Sequence, residues 1–461
     1  MVYCFGYNRT GKRYYFLWDV ESGSLLSVDR FAFLCAKERY STLLPDEKKE
    51  YDDIDKKERE EIVNELADAE KRGVLNTKPQ IEFFVKSTKV VKALCLHICH
   101  DCNLNCEYCF AGGGNYNTEK DYMSEETGRK AVDFLIANSG KRRNLEIDFF
   151  GGEPLLNMKT VKEVVRYARE IEEKYGKKFA FTMTTNCLLL NDDNIAWLNE
   201  NMENVVLSID GRECTHNAVR HARNGKDCYD VILENARKFR AVRGDKKYYV
   251  RATFTAKNLD FCSDILALND AGFDQISAEP VVLDESSPMA LKEEHILRIC
   301  DEYDKFTDAY LTRRKLGGKH WFNFFHFMLD LEHGPCPDKR LTGCGAGTEY
   351  MAVSPIGELY PCHRFVGGDE KYRIGSVYTG IEHPEVREIF ARLSVLSKPH
   401  CKDCFAKYNC GGGCTANALQ YAGDVNAQYK MGCELTKKRL ECSLAIAAIE
   451  KSDRKNSENA Q

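Results

Sequence analysis

Residues 94–114 read LCLHICHDCNLNCEYCFAGGG: an apolar run, then Cys102, Cys106 and Cys109, then three glycines. The apolar run from Val90 to Ile98 predicts a buried strand, and the cysteines fall in the loop that follows it. Three thiolates at the spacing CxxxCxxC can hold three irons of a [4Fe–4S] cube and leave the fourth iron free for a small-molecule ligand. A structural zinc would normally take four protein ligands. The bland alternative is three chance loop cysteines.

Working outward, residues 88–282 alternate strand and helix. The pattern predicts strands at Val90–Ile98, Leu145–Phe150, Phe179–Thr184, Val205–Ile209, Tyr248–Phe254 and Gln275–Pro280, with helices between them at Ser124–Ala137, Met158–Glu173 and Tyr229–Val242. Six βα repeats predict an α/β domain, an open or incomplete parallel barrel, with its chemistry where strands end. Gly151-Gly152-Glu153-Pro154 follows the second strand. Two glycines let backbone approach a ligand closely, and a carboxylate there can accept bonds from an ammonium; alone, the motif could equally be an ordinary turn before a helix. Thr184-Thr185-Asn186 ends the third strand and Ser208-Ile209-Asp210-Gly211 the fourth, followed by His216-Asn217-Ala218-Val219-Arg220. Arg220 suits a bidentate grip on a carboxylate, although a lone Ser or Arg is more often a surface residue.

Residues 283–335 predict a connector with a charged helix and the aromatic stretch His320–Phe325. Residues 336–450 form a Cys- and Gly-rich domain, and 451–461 a polar tail expected to be disordered. The domain holds Cys336, Cys344, Cys362, Cys401, Cys404, Cys410, Cys414 and Cys433, enough thiols for two four-thiolate clusters. The run Cys401-x2-Cys404-x5-Cys410-x3-Cys414 is a strong ligand signal, and Gly411-Gly412-Gly413 lets backbone curl around a bulky group. A zinc ribbon would leave Cys344, Cys362 and Cys433 unexplained. Cys336 is ambiguous. Cys95, Cys99, Cys187, Cys214, Cys228, Cys262, Cys300 and Cys442 read mostly as small apolar packing residues.

Residues 1–85 read as a separate unit: strands at Tyr14–Trp18 and Leu25–Val28 joined by a Ser-Gly-Ser turn, a helix over Phe31–Lys37 capped by Asp29, a charged segment from Pro45 to Glu60, and a helix with Ile62, Leu66 and Ala69 on one face that stops at Gly73. This order is winged-helix-like, and its bland role is a packing cap. The whole chain has 461 residues and a net charge of −5 from 66 basic and 71 acidic side chains, so bulk charge gives no reason to expect a nucleic-acid partner. No apolar run reaches the ~20 residues that span a bilayer, and the opening MVYCFGYNRTGKRYY lacks the pattern of a signal peptide. A cytoplasmic, thiol-rich, metal-binding protein is expected.

The Cys102–Cys109 element resembles the signature of the radical S-adenosylmethionine (radical SAM) superfamily, and Gly151–Pro154 looks like its GGEP element. The resemblance implies that Tyr108 contacts the adenine, that Gly151, Gly152 and Glu153 bind the methionine amino group, and that Thr185, Ser208 and Arg220 complete the S-adenosylmethionine site. The C-terminal cysteines resemble the SPASM extension. That implies auxiliary [4Fe–4S] clusters on Cys344, Cys362 and Cys414 and on Cys401, Cys404, Cys410 and Cys433, three clusters in all. The string of residues 94–114, together with TGCGAGTEYMAVSPIGELYPCHRFVGG at 342–368, looks like the maturases of the six-cysteines-in-forty-five-residues (SCIFF) peptides. By that resemblance the N-terminal unit is a PqqD-like domain that takes the leader of a Cys-rich precursor peptide as an added strand. A flavodoxin- or ferredoxin-type donor then supplies electrons, a 5′-deoxyadenosyl radical removes hydrogen from an acceptor carbon, and a peptidyl Cys thiolate bonds there as a thioether, the surplus electron passing to an auxiliary cluster. Two alternatives stand beside it: a sulfatase-maturing oxidase that makes formylglycine, and a non-catalytic Fe–S electron carrier.

Overall fold

The first strand of the central sheet, Ala93–Cys99 (β1), is buried at every residue, as a strand covered on both faces must be. In this computed structural model, which describes residues 1–331 and 337–458, β1 is followed by Asn144–Gly151 (β2), Lys178–Thr185 (β3), Asn204–Ser208 (β4), Lys247–Phe254 (β5) and Gln275–Pro280 (β6). All six lie parallel and in sequence order. The six expected strands are present, with ends displaced by a few residues. Helices over Glu125–Asn138, Met158–Glu172 and Tyr229–Arg243 sit where the periodicity places them. Ser124 caps the first of these by accepting the Thr127 N–H.

The sheet does not end with the six. Asn323–Phe324 (β7), inside the expected connector, pairs parallel with β6. Tyr350–Val353 (β8), from the Cys-rich region, pairs parallel with β1 and antiparallel with Glu358–Tyr360 (β9). The C-terminal domain thus continues the barrel sheet at its β1 edge, and Cys362, just after β9, follows a strand that runs back from the C-terminal ends of the barrel strands. The expected disordered tail is corrected: Lys430–Glu458 is one helix, and no glycine or proline from Lys451 to Glu458 stops it. Cys336 lies outside the described residues.

The N-terminal unit has one strand and one helix more than expected. Val2–Arg9, Lys12–Asp19 and Ser24–Val28 form an antiparallel sheet in that order, followed by helices Arg30–Tyr40, Pro45–Asp52 and Lys56–Lys71. The middle strand is apolar on both faces. Leu17 packs with Phe33, Leu34 and Leu66 in the unit's own core, while Phe16 and Trp18 join the main core. Asp29 caps the first helix through Ala32 N–H, as its position predicts. Pro45–Asp52 carries no apolar stripe; it starts with proline at its first turn, and Glu47 pairs with Lys37 of the preceding helix. Among the described residues no helix is long and apolar enough to cross a membrane.

Candidate active site

At the end of β1 the ladder to β2 shifts register between His97 and Cys99, and the chain turns into the cysteine loop. Asp101 anchors that turn: its carboxylate accepts from Cys102 N–H at 3.0 Å and Tyr122 Oη at 2.9 Å and pairs with Arg223. Leu104–Cys106 then forms a short antiparallel ladder with Arg220–Ala222, placing Cys106 opposite Arg220. The segment that carries Arg220 is therefore stitched by backbone to the cysteine loop.

The glycines after β2 are needed for a reason other than ligand approach. A Cβ on Gly151 would lie 2.4 Å from Cys99 O, and one on Gly152 1.9 Å from Asp101 O. Gly152 N–H donates to Cys99 O and Glu153 N–H to Asp101 O, both at 2.9 Å. The two motifs dock backbone to backbone, and any side chain would push them apart.

Glu153 is buried, and its carboxylate accepts from Leu155 N–H at 3.0 Å, Thr185 Oγ at 2.9 Å and Asn186 N–H at 2.7 Å. Burial raises its pKa to about 7 against the pull of those donors. A carboxylate offers about four lone-pair sites, so one direction remains for an ammonium. Thr185 thus reaches the site through Glu153. Arg220 Nη1 donates to Tyr108 Oη at 2.9 Å and lies 3.4 Å from Asp210, to which the Tyr108 hydroxyl also donates. Arg220 Nε is buried without a partner. Asp210 was quoted in the sequence but given no role; only its place beside Ser208 could have flagged it.

Cys102, Cys106 and Cys109 line a single cavity of about 240 Å³. Tyr108, Gly151, Gly152, Glu153, Thr185, Ser208 and Arg220 line it with them, so every residue expected at the first site is brought together. Burial pushes the Cys102 thiol up to about 12 and Cys106 up to about 11, which a bound cation would reverse. Arg251, Glu279 and His363 line the same cavity; the sequence offered only the strand-end place of Glu279 and the post-Cys place of His363 as signals, and none for Arg251. Glu279 is held below the ordinary carboxylate range by His326, Arg439 and Arg251, although burial alone would raise it.

Seven of the C-terminal cysteines lie in two adjoining places among the described residues. Cys414 lies near Cys344 and Cys362, and burial pushes the Cys344 and Cys362 thiols up. Cys401, Cys404, Cys410 and Cys433 line a second cavity that Cys414 also reaches. Burial pushes Cys401 and Cys433 each up to about 11. Gly411, Gly412 and Gly413 have φ of +66°, +90° and +74°, the left-handed turn that the glycine run allows. A Cβ on Gly411 would meet Gly343 backbone at 2.6 Å, so this contact brings the two groups side by side. Among the described residues no three His, Cys, Asp or Glu side chains are placed to hold a single metal ion. Thiols around cavities, a glycine-shaped cradle and an orphaned buried guanidinium nitrogen fit multi-iron clusters and a carboxylate-bearing ligand.

A parallel sheet of this order, with a cysteine loop after its first strand, defines the class. Residues 96–254 match the model of the Radical SAM superfamily. The chain carries a radical SAM domain over those residues, and over most of its length it is similar to a radical SAM cyclopropyl synthase and to a sulfatase-maturating enzyme. The radical SAM cyclopropyl synthase TigE of Paramaledivibacter caminithermalis is 22% identical over 425 residues, 86% of this chain and 85% of that protein. The serine-type anaerobic sulfatase-maturating enzyme of Bacteroides thetaiotaomicron is 26% identical over 357 residues, 70% of this chain and 82% of that protein. The crystal structure of anSMEcpe with bound AdoMet, 19% identical, superposes with a TM-score of 0.66 over 79% of this chain and 96% of that one. SuiB of Streptococcus suis, 16% identical, covers 91% of this chain and 96% of its own at a TM-score of 0.50. These two structures share the fold.

Proposed function

We propose that this chain is a peptide maturase that forms Cys thioether crosslinks in a ribosomally made precursor. The supporting observation is that Glu279 and Pro280 line both the cavity of Cys102, Cys106 and Cys109 and the cavity of Cys401, Cys404, Cys410 and Cys433. The residue after Cys362, His363, also lines the first cavity. A carbon held in the first cavity and a thiol held among the C-terminal cysteines would be neighbours, which a crosslinking reaction needs.

In this reading Cys102, Cys106 and Cys109 hold the first cluster, Cys344, Cys362 and Cys414 the second, and Cys401, Cys404, Cys410 and Cys433 the third. A cluster held there, with an external flavodoxin or ferredoxin as electron donor, would supply the one-electron chemistry that cleaves S-adenosylmethionine. Glu153 takes the methionine ammonium at its remaining acceptor direction, fixed by Thr185. Gly151 and Gly152 keep that carboxylate against the cysteine loop. Arg220 and Ser208 face the cofactor from β4 and the strand that follows, and Tyr108 is held by Asp210 in position to meet the adenine. Leader binding falls to Ser24–Val28, an edge strand whose outer side pairs with no other strand among the described residues. The protein works in the cytoplasm.

Cys102→Ala, Cys106→Ala and Cys109→Ala should each abolish 5′-deoxyadenosine formation while the iron at the C-terminal sites is retained. The substrate is sought as the product of a neighbouring short reading frame with clustered cysteines. Mass spectrometry after reaction should show the loss of two hydrogens per crosslink, with the joined cysteines closed to alkylation. The likeness to sulfatase-maturating enzymes supports a second reading, formylglycine formation. A product that reacts with hydrazines and keeps no thioether would favour it. A chain that makes no 5′-deoxyadenosine would be an electron carrier.

A further inference from the structure

Two charged side chains of the first cavity have no part in the cofactor contacts above. Arg251 on β5 is exposed and lines the cavity. Among the described residues no hydrogen bond and no carboxylate within ion-pair distance holds its guanidinium. Glu279 on the adjacent strand β6 lines the same cavity and faces the Cys-ringed one as well. Two elements brought in from the C-terminal half back it: His326 Nε2 lies 3.0 Å from Oε1, off the hydrogen-bond direction, and Arg439 Nη1 lies 3.6 Å from Oε2. The carboxylate is fixed from behind and open in front.

The register gives the spacing. Thr253 lies beside Glu279, and Arg251 beside Ser277, so the two charges are diagonal: one strand apart and two residues apart along it. At about 4.8 Å between strands and about 3.3 Å per residue, that is roughly 8 Å between their Cα positions. An extended peptide repeats its backbone polar groups every two residues, about 6.7 Å. An acceptor and a donor at this separation match one short extended segment. The pair also stands at the wall between the two cavities, where the segment to be crosslinked has to lie.

We propose that Glu279 and Arg251 clamp the backbone of the peptide's acceptor segment, Glu279 accepting an amide N–H and Arg251 donating to a carbonyl oxygen. This rests on the maturase reading and makes the wall between the cavities a subsite for an extended peptide. Both are positioning residues: they hold the acceptor carbon in reach and transfer nothing.

The test uses the holoenzyme with S-adenosylmethionine and a fluorescently labelled peptide, the cysteine-bearing half of the neighbouring short reading frame without its leader. Removing the leader takes away affinity contributed by the N-terminal unit. Glu279→Gln and Arg251→Gln should each raise the Kd of this peptide about tenfold, the size of one charge-assisted hydrogen bond. Arg251→Lys should recover part of the loss. With the full-length peptide, KM should rise more than kcat falls. Glu279→Gln disturbs His326 and Arg439 and could misfold; Arg251→Gln removes a side chain that no hydrogen bond or ion pair ties down among the described residues, and keeps the question decidable. Peptide affinity within twofold of wild type in a folded Arg251→Gln protein overturns the clamp. So does weakened S-adenosylmethionine binding with unchanged peptide binding, which would assign the pair to the cofactor. If the wild-type enzyme crosslinks the peptide and the variants bind it normally, only the clamp fails; if the wild type leaves the peptide unmodified, the maturase reading fails and the clamp with it.

Discussion

Gly152 has no room for a side chain. With a Cβ placed 1.9 Å from Asp101 O, Gly152→Ala has to separate the Glu153 turn from the cysteine loop, and overpacking of this kind costs about 1–3 kcal/mol or more. The variant should lose S-adenosylmethionine binding and first-site iron together, read by equilibrium dialysis and iron assay; retention of both would show that the docking is not needed. Glu153 carries a second prediction. Burial lifts its folded pKa to about 7 from an ordinary 4.5, so between those values the folded chain keeps a proton that the unfolded chain has lost. Its contribution to stability is therefore greatest below pH 4.5 and declines as pH rises to about 7, a change of about 3 kcal/mol. The melting temperature of wild type minus that of Glu153→Gln should fall from about pH 5 to about pH 8; a flat difference would mean the carboxylate is ionised throughout. These residues were legible because each sits in a short motif at a strand end. Arg251 and Glu279 were not, since a charge inside a strand looks like any solvated residue until the register places it over a cavity. The glycines were found for an incomplete reason: spacing along the chain does not reveal that their close neighbours are Cys99 and Asp101.

At the scale of elements, the six barrel strands were readable because alternation and burial repeat along them. The helix Pro45–Asp52 was not, because PDEKKEYD has no apolar stripe and is held by charge pairs to its neighbours. The strand Val2–Arg9 was missed because its apolar residues are interrupted by Gly6 and polar positions. It stands out only once paired with Lys12–Asp19. That sheet touches the segment between Cys404 and Cys410 at two points. Tyr3 stacks on Phe405 with ring centroids 3.6 Å apart. Glu21, in the turn after the second strand, pairs with Lys407 and accepts from Tyr408 Oη at 2.8 Å, and both charged side chains are nearly fully buried. Lys407→Ala strands a buried carboxylate, at a cost of about 3–5 kcal/mol. It should lower the iron held by Cys401, Cys404, Cys410 and Cys433 while sparing the Cys102–Cys109 site, as resolved by site-specific spectra. The double variant Glu21→Gln with Lys407→Met should restore much of the loss, because it removes both charges.

The whole molecule carries the last prediction. The sequence presents residues 1–85 as a detachable unit, and the linker after Lys71 supports that view, with Phe83 exposed at 80%. The packing opposes it. Phe5, Tyr7, Phe16, Trp18 and Val20 belong to the same core as the barrel and the C-terminal helix, and Tyr7 Oη donates to Asp308 at 2.9 Å. Deleting residues 1–85 would expose the apolar surface these side chains cover, at about 25 cal/mol per Å², and remove the carboxylate that pairs with Lys407. The cysteine loop after β1 keeps its anchors at Asp101, Gly152 and the Arg220 strand, all outside the deleted unit. The truncated chain should therefore lose leader binding and the iron of the Cys401–Cys433 site yet still cleave S-adenosylmethionine without peptide. Titration of labelled leader peptide, iron assay and 5′-deoxyadenosine measurement on one preparation separate the outcomes. Full iron at all sites with leader binding lost would mean the unit is a detachable module. Unchanged leader affinity would reduce it to a packing cap, because the edge strand Ser24–Val28 would then bind nothing.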